Sequence, residues 1–584
     1  MCNSFPPFSA GFSVLSYNTV CHRILFFGEK YHRWIYLLGL FMMAAGLPLS
    51  KFLIGAGIFT VAINWVFESS ITPQVAYYFP RPQWPMLGRM MREGNFAPKG
   101  RLFLSRRSIL VLSGIFLLHV IGTIWAKDQH EAWKDVRIKL PLLLLPVVIG
   151  TSEPLEKKWF ERLLTVFTLA VFVSTVYTFL VAKGIIPPKH PMRDLRDASQ
   201  FVPLIRLALM IVLAVFLTGR WMIRTKNILL KFTCLAVIFW FTWFLAFMQS
   251  LTGLVILLLG GFFLLVMMSF IYQRKKMVYG LLAVFLVGAG ISGYVIRKAW
   301  NDFYNFHPVD TAHLERFSAH GHPYIHQLNY PMMENGYQVM AYVCWNELDS
   351  AWNSRSKILL NGGRDVNGNE ISMTLVRYMT SKGLRKDADG FATLTDAEIH
   401  AIENGATNAL DGERSPVERR LYQVIWELYH YRHGGDPSGN SVTMRLELAK
   451  TATGVIREHP WIGVGTGGQH TAFEDRYDTK GSRLGEEWQW LHSHNQFLAI
   501  AVTLGIPALL YFIFALWYAP ASMRRWRSYL YLAFFITFFL SCFDDDTLET
   551  MQGVFFFGFF NSIFLYAMPR GSAVRMEEIS SPVE

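Results

Sequence analysis

The chain has 584 residues, of which 52% are hydrophobic and 15% aromatic, while only 17% are Asp, Glu, Lys or Arg. Soluble domains average about 25% charged residues, so an ordinary soluble enzyme is excluded, and 47 Phe, 24 Tyr and 18 Trp exclude a disordered chain. The net charge of +12 sits in clusters between apolar runs and lacks a basic–aromatic recognition module, which argues for a membrane protein and against a nucleic-acid partner.

A spanning helix needs about 20 mostly apolar residues. Runs of this kind lie near 34–50, 51–67, 108–126, 138–151, 160–182, 203–219, 228–249, 251–272, 277–296, 495–517, 528–543 and 553–568. They predict an all-α polytopic membrane protein of about twelve transmembrane helices. The first 33 residues hold Cys21, His22, Arg23 and Lys30 without an apolar core or cleavage site, so no cleaved signal peptide is expected. The scattered cysteines form neither a disulfide framework nor a zinc ribbon.

The basic clusters orient the bundle. Arg81, Arg89, Arg92, Lys99, Arg101, Arg106 and Arg107 share one loop, Arg274, Lys275 and Lys276 a second, and Arg524, Arg525 and Arg527 a third. All fall on the cytoplasmic side if the N-terminus is inside. The division predicted is a transmembrane bundle over 1–297, a cap over 298–494 on the outer face, two-way membrane helices over 495–568 and a cytoplasmic tail over 569–584. Within the cap, Leu421, Val424, Ile425 and Leu428, and then Met444, Leu448, Ala452 and Val455, show helical spacing. Asn361–Gly368 reads as a polar, hairpin-like stretch.

Four segments bring polar groups to the outer face. Arg206 lies in the first turn of an apolar helix, where a charge is costly and faces a cavity or partner, or snorkels to the interface. With the helix N-terminus it suits an anionic group. Arg445 opens a cap helix, followed by glycines at 463, 465, 467 and 468 that either let backbone N–H groups approach a phosphate or make a plain turn. His494, beside Asn495, stands where the chain re-enters the membrane, and a neutral imidazole there can take a hydroxyl proton. His492 and His494 do not share a helical face, so no metal is assigned to them. The run Asp544–Asp545–Asp546 suits either capping of the last helix or catalysis, with capping favoured. The turn Ser250–Gly253 reads as structural.

In this order the motifs resemble the O-antigen ligase/polymerase family of bacterial inner-membrane proteins, in its Bacteroidetes-type form. The residues that carry the resemblance are His494-Asn495 followed by Gly505, Ser441…Arg445…His459-Pro460…Gly463-Val-Gly465, and Arg206 opening a helix. Ser250-x-Thr-Gly253, Asp546-Thr-Leu-Glu-Thr…Gly553 and the region from Glu334-Asn-Gly336 to Asp387 extend it over about residues 34–568. Ala508 departs from the Gly, Thr or Tyr common there in ligases. The resemblance implies a GT-C-like glycosyltransferase with a periplasmic cap and an undecaprenyl-pyrophosphate-linked glycan donor. The acceptor it implies is lipid A–core for a ligase, a second lipid-linked repeat for a polymerase, or a protein hydroxyl for an oligosaccharyltransferase. By the same resemblance Arg206 and Arg445 hold the pyrophosphate and His494 activates the acceptor, without metal or cofactor. Asn495, Gly463, Gly465, Asp545 and Asp546 support them. The reading from another class is a polysaccharide transporter or flippase, whose signature is paired broken helices with midplane charges. Here the charges collect at the outer rim instead.

Overall fold

The computed structural model describes residues 29–68 and 96–569, apart from 191, 193, 194, 272, 274, 331 and 490. The segments before 29 and after 569, and Arg81, Arg89, Arg92 and Arg274, lie outside the described residues. The described chain is an all-α membrane protein in which the only strands are a short antiparallel pair, β1 (Met333–Glu334) and β2 (Tyr337–Gln338).

The N-terminal part contains α1 (Glu29–Leu49), α2 (Lys51–Phe67), α3 (Phe96–Ser105), α4 (Arg107–Gly122), α5 (Gln129–Lys139), α6 (Pro141–Thr151), α7 (Lys157–Ala182), α8 (Leu204–Arg224), α9 (Ile228–Phe247), α10 (Leu251–Ile271) and α11 (Lys275–Tyr304). The cap adds α12 (Trp345–Arg355), α13 (Ile371–Ser381), α14 (Ala388–Ala392), α15 (Asp396–Glu403), α16 (Pro416–Arg432), α17 (Ser441–Glu458) and α18 (Gln469–Lys480). The chain ends in α19 (Gln496–Ser522), α20 (Tyr529–Asp544) and α21 (Met551–Ser562), the last continued as a π-turn to Ala567.

Each apolar run read from the sequence is helical. Among the described residues seven helices are long and apolar enough to cross a membrane, and three shorter apolar ones are Lys51–Phe67, Tyr529–Asp544 and Met551–Ala567. α1 folds back on α2 at Ser50, whose hydroxyl accepts the Leu53 N–H. The run at 138–151 differs from expectation. Its helix, α6, has 11 residues, about half of what a span needs, and continues through Leu140 from the polar α5.

α8 is the most buried of the long helices, whereas α11 is almost wholly exposed. α11 runs on past residue 297 and delivers Ala299 and Phe303 into the cap core, where Phe303 meets Tyr422 and Tyr429 edge-on. That core is closed by Trp352, Leu375 and Ile425. A second, smaller cluster joins Leu448, Ala452 and Phe473 to Val502 of α19. The cap thus rests on the bundle through α11 on one side and α17 on the other. The stretch 361–368 turns back as expected, closed by the Arg364–Glu370 bridge and by Asp365, which accepts the N–H groups of Asn367 and Asn369.

α19 is two helices joined at Gly505, whose φ of 84° no other residue type adopts without strain. The break frees carbonyls, because Ile506 N–H donates to Pro460 and Pro507 has no N–H. The N–H groups of Val464 and Gly465 take up the freed Val502 and Thr503 oxygens, both at 2.9 Å. A Cβ on Gly505 would lie 2.4 Å from the Trp461 carbonyl oxygen. Gly505→Ala is therefore expected to destabilise the protein by about 1–3 kcal/mol, read as a lower melting temperature in detergent; unchanged melting would show that the loop yields freely.

Candidate functional site

Three consecutive carboxylates organise the cap end of the bundle. α20 ends at Asp544, and Asp545 and Asp546 lie in the connection to α21. They do not cap α21, contrary to the capping expectation. That role belongs to Thr550, whose hydroxyl accepts the Gly553 N–H. The acids meet arginines instead. Arg206, 6% exposed in the first turn of α8, contacts Asp545 through Nη1 and approaches Asp546 at 3.7 Å, while its Nε donates to Thr550 Oγ1 at 3.0 Å. Arg445, in the first turn of α17, reaches down to Asp544 Oδ1 at 2.5 Å. The other Asp544 oxygen accepts from Thr252. The Ser250–Gly253 turn, expected to be structural, therefore touches the site.

His494 joins the same acids. One ligand-type atom from each of His494, Asp545 and Asp546 lies within 4.8 Å of the others. Such a set has the donor atoms to hold a metal, but Arg206 already faces both carboxylates and supplies their countercharge. His494 has a φ of 48°, a left-handed conformation that costs a non-glycine residue energy and clusters at functional sites. Its Nδ1 is buried and has no hydrogen-bond partner, as is Asp546 Oδ2. His492 stands more exposed, 3.9 Å from that same oxygen. Burial pushes the His494 imidazole below its ordinary pKa of 6.5; Asp546 opposes this, and Arg445, His492 and Arg206 reinforce it.

Asn495 fixes the helix start beneath the histidine. Its side-chain oxygen caps α19 at Leu498 N–H and its amide donates to the Phe543 carbonyl, both at 3.0 Å. Below, Gln496 accepts the Leu548 N–H at 2.6 Å and donates to Glu549. Glu549 also pairs with the buried Lys139 at 2.7 Å, and Lys139 with Asp135. The structure thus brings Arg206, Arg445, His494, Asn495, Asp545 and Asp546 to one place. Gly463 and Gly465 stand apart. The N–H groups of Val464 and Gly465 are engaged by the broken helix, so this loop supports α19 and offers those donors to no phosphate. Sequence reasoning placed the Asp544–Asp546 run on this face and noted the Ser250–Gly253 turn without their partners, and it missed the capping role of Thr550 and the Gln496–Glu549–Lys139 chain; only Gln496, directly after His494-Asn495, gave a local cue.

A cavity of about 960 Å³ opens beside the acids. Its apolar floor comes from Val255, Ile256 and Leu259 of α10 with Leu540 and Phe543 of α20, and its polar mouth carries Arg196, Arg420, Arg445 and Asp544. Arg206 does not line it, although its neighbours Leu204 and Ile205 do.

Residues 406–513 match the family model described as O-Antigen ligase. No curated protein matches the chain. The family is associated with glycosyltransferase-like activity, which supports glycan transfer of the O-antigen ligase/polymerase type with glycan and lipid substrates in general. The matched stretch contains Arg445 and His494, while Arg206 and the three acids lie outside it and join the site through the fold alone.

A buried charge left without its partner costs about 3–5 kcal/mol. Asp545→Asn is therefore expected to lower stability by that order, and Arg206→Met in the same chain to recover much of the loss. Melting temperatures of the single and double variants in detergent check this, and a single variant as stable as the parent would show that the pair contributes little.

Proposed function

We propose that this chain transfers a glycan from an undecaprenyl-pyrophosphate carrier to an acceptor hydroxyl at the periplasmic face of the bacterial inner membrane, with lipid A–core as the acceptor. An O-antigen polymerase or a protein O-oligosaccharyltransferase would use the same donor chemistry with another acceptor. The observation that carries the reading is the cavity that joins an apolar floor to a cationic mouth, whose Arg445 and Asp544 belong to the same acid run that meets His494, although His494 does not itself line the cavity. The floor suits a polyprenyl tail and the guanidinium fork of Arg445 suits diphosphate oxygens. Arg445 is held by Asp544 and exchanges that carboxylate for the diphosphate when the donor binds. Arg206, fixed by Asp545, adds positive potential behind it.

In this mechanism His494 takes the proton of the acceptor hydroxyl as its oxygen attacks the anomeric carbon. The bond from that carbon to the phosphate oxygen breaks on the opposite side, so the configuration inverts and the lipid diphosphate departs with the electron pair. Asp546 stabilises the imidazolium that forms. Guanidiniums preorganised where charge grows on the leaving group lower the barrier, so the step proceeds without a metal.

His494→Ala is expected to reduce transfer by at least about 10²-fold, the lower range for a general base, while donor binding persists. Reconstituted transfer at the parental rate would reject the base role. Complementing a deletion strain with the parent chain, and asking whether long-chain lipopolysaccharide, polymer length or glycoproteins return, identifies the acceptor.

The shifted imidazole sets the pH dependence. A base must be neutral to act, and a pKa held below 6.5 keeps His494 neutral at neutral pH. Activity is thus expected to fall only as pH drops below 6.5, and to be level above it. An acid limb centred above that value in the profile of kcat/KM would contradict the buried setting.

A further inference from the structure

The two residues after His494 hold the acid run from both sides. Asn495 donates to the Phe543 carbonyl just before it, and Gln496 meets Leu548 and Glu549 just after it. Between these links stand His494 Nδ1 and Asp546 Oδ2, both buried without a hydrogen-bond partner, so no bond between those atoms sets their spacing. Gln496 is 1% exposed, and its amide has a set orientation. Its oxygen accepts the Leu548 N–H at 2.6 Å, which turns its nitrogen to Glu549 Oε1 at 3.2 Å. The three Asp carboxylates meet arginines, whereas Glu549 Oε2 accepts from Lys139 at 2.7 Å. Lys139, buried in the last turn of α5, is held in turn by Asp135.

A glutamate suits this place because each of its oxygens is committed to a different donor. An amide there would offer a single oxygen for two donors; Lys139 would keep it, and Gln496 would lose its acceptor. The backbone on either side of Glu549 is tied as well, Leu548 to Gln496 and Thr550 to Arg206. A carboxylate so enclosed persists only with a countercharge, and Lys139 supplies it away from the cavity. We propose that Glu549, anchored by Lys139, is a positioning residue for the transfer step: through Gln496 it holds the segment that carries His494 at a fixed distance from Asp546. The role rests on His494 acting as the base, and it adds to that reading the charge pair that keeps base and acid in register.

The test uses the full chain in proteoliposomes, with the lipid-linked glycan as donor and lipid A–core, or whichever acceptor complementation returns. Glu549→Gln keeps the side-chain volume and leaves Lys139 its Asp135 partner, so the fold is expected to persist. Its kcat per folded protein is expected to fall about tenfold or more, the scale of a small misplacement of a reacting group, with the donor KM within about twofold. Gln496→Ala cuts the same link from the other end while leaving the Glu549–Lys139 pair in place, and is expected to repeat the loss. Glu549→Gln combined with Gln496→Glu again gives every donor its own acceptor and is expected to restore most of kcat. In a His494→Ala background Glu549→Gln is expected to add no further loss, because both act on one step. A pair that merely stabilises the fold would lower the melting temperature and leave kcat per folded protein unchanged. That result, an equal loss in the His494→Ala background, or a swapped pair no better than Glu549→Gln alone would overturn the positioning role. If His494→Ala itself keeps the parental rate, the base reading fails; if His494→Ala is impaired and the Glu549→Gln loss is independent of it, only the positioning role fails.

Discussion

The buried contact between Arg206 and Asp545 is the constraint around which the cap end of the bundle is arranged. A guanidinium in the first turn of a membrane helix must find countercharge, and the acid run after α20 supplies it. Once Asp545 is held there, its neighbours have fixed places. Asp546 stands beside His494 with one oxygen unengaged, and Asp544 turns to Thr252 and Arg445. Four elements distant in sequence are thereby tied to three adjacent residues.

Rigidity around this point comes from backbone groups as much as from charges. The break at Gly505 exposes two carbonyls within α19, and the glycine-bearing loop after α17 answers them with two N–H groups. This joins α17, which carries Arg445, to α19, which carries His494 at its start. Asn495 and Gln496 then link that start to α20 and to the connection after it. His494, with its left-handed φ of 48°, thus directly precedes two residues anchored to neighbouring elements, and such strain persists where the surroundings over-determine it.

The cavity draws its character from two sources. Its floor is made by membrane helices, whose side chains are apolar because they meet lipid or each other. Its mouth is made by cap residues such as Arg420 and Arg445 together with the polar loop before α8, both free to carry charge. A ligand with a long apolar tail and an anionic head matches that division, and a cap that contributes arginines can grip the head from above.

The sequence by itself determined the helical membrane architecture and pointed to three polar groups that the fold brings near one another. Hydropathy, the first turn of a helix and the point of re-entry are local properties, and Arg206, Arg445 and His494 each sit at such a point. It misjudged one local signal and left another open. The acid run looked like a cap because acids favour helix starts, yet Thr550 held that position and the acids found arginines. The glycines after Pro460 read equally as a phosphate cradle or a plain turn, and their loop faces the carbonyls of a broken helix. Only the tertiary structure decided those pairings, and with them the roles of Thr252, Asp544 and Glu549. The physical reason is that the partner of a buried charge or an open carbonyl is chosen by packing across hundreds of residues, and no spacing along the chain records it.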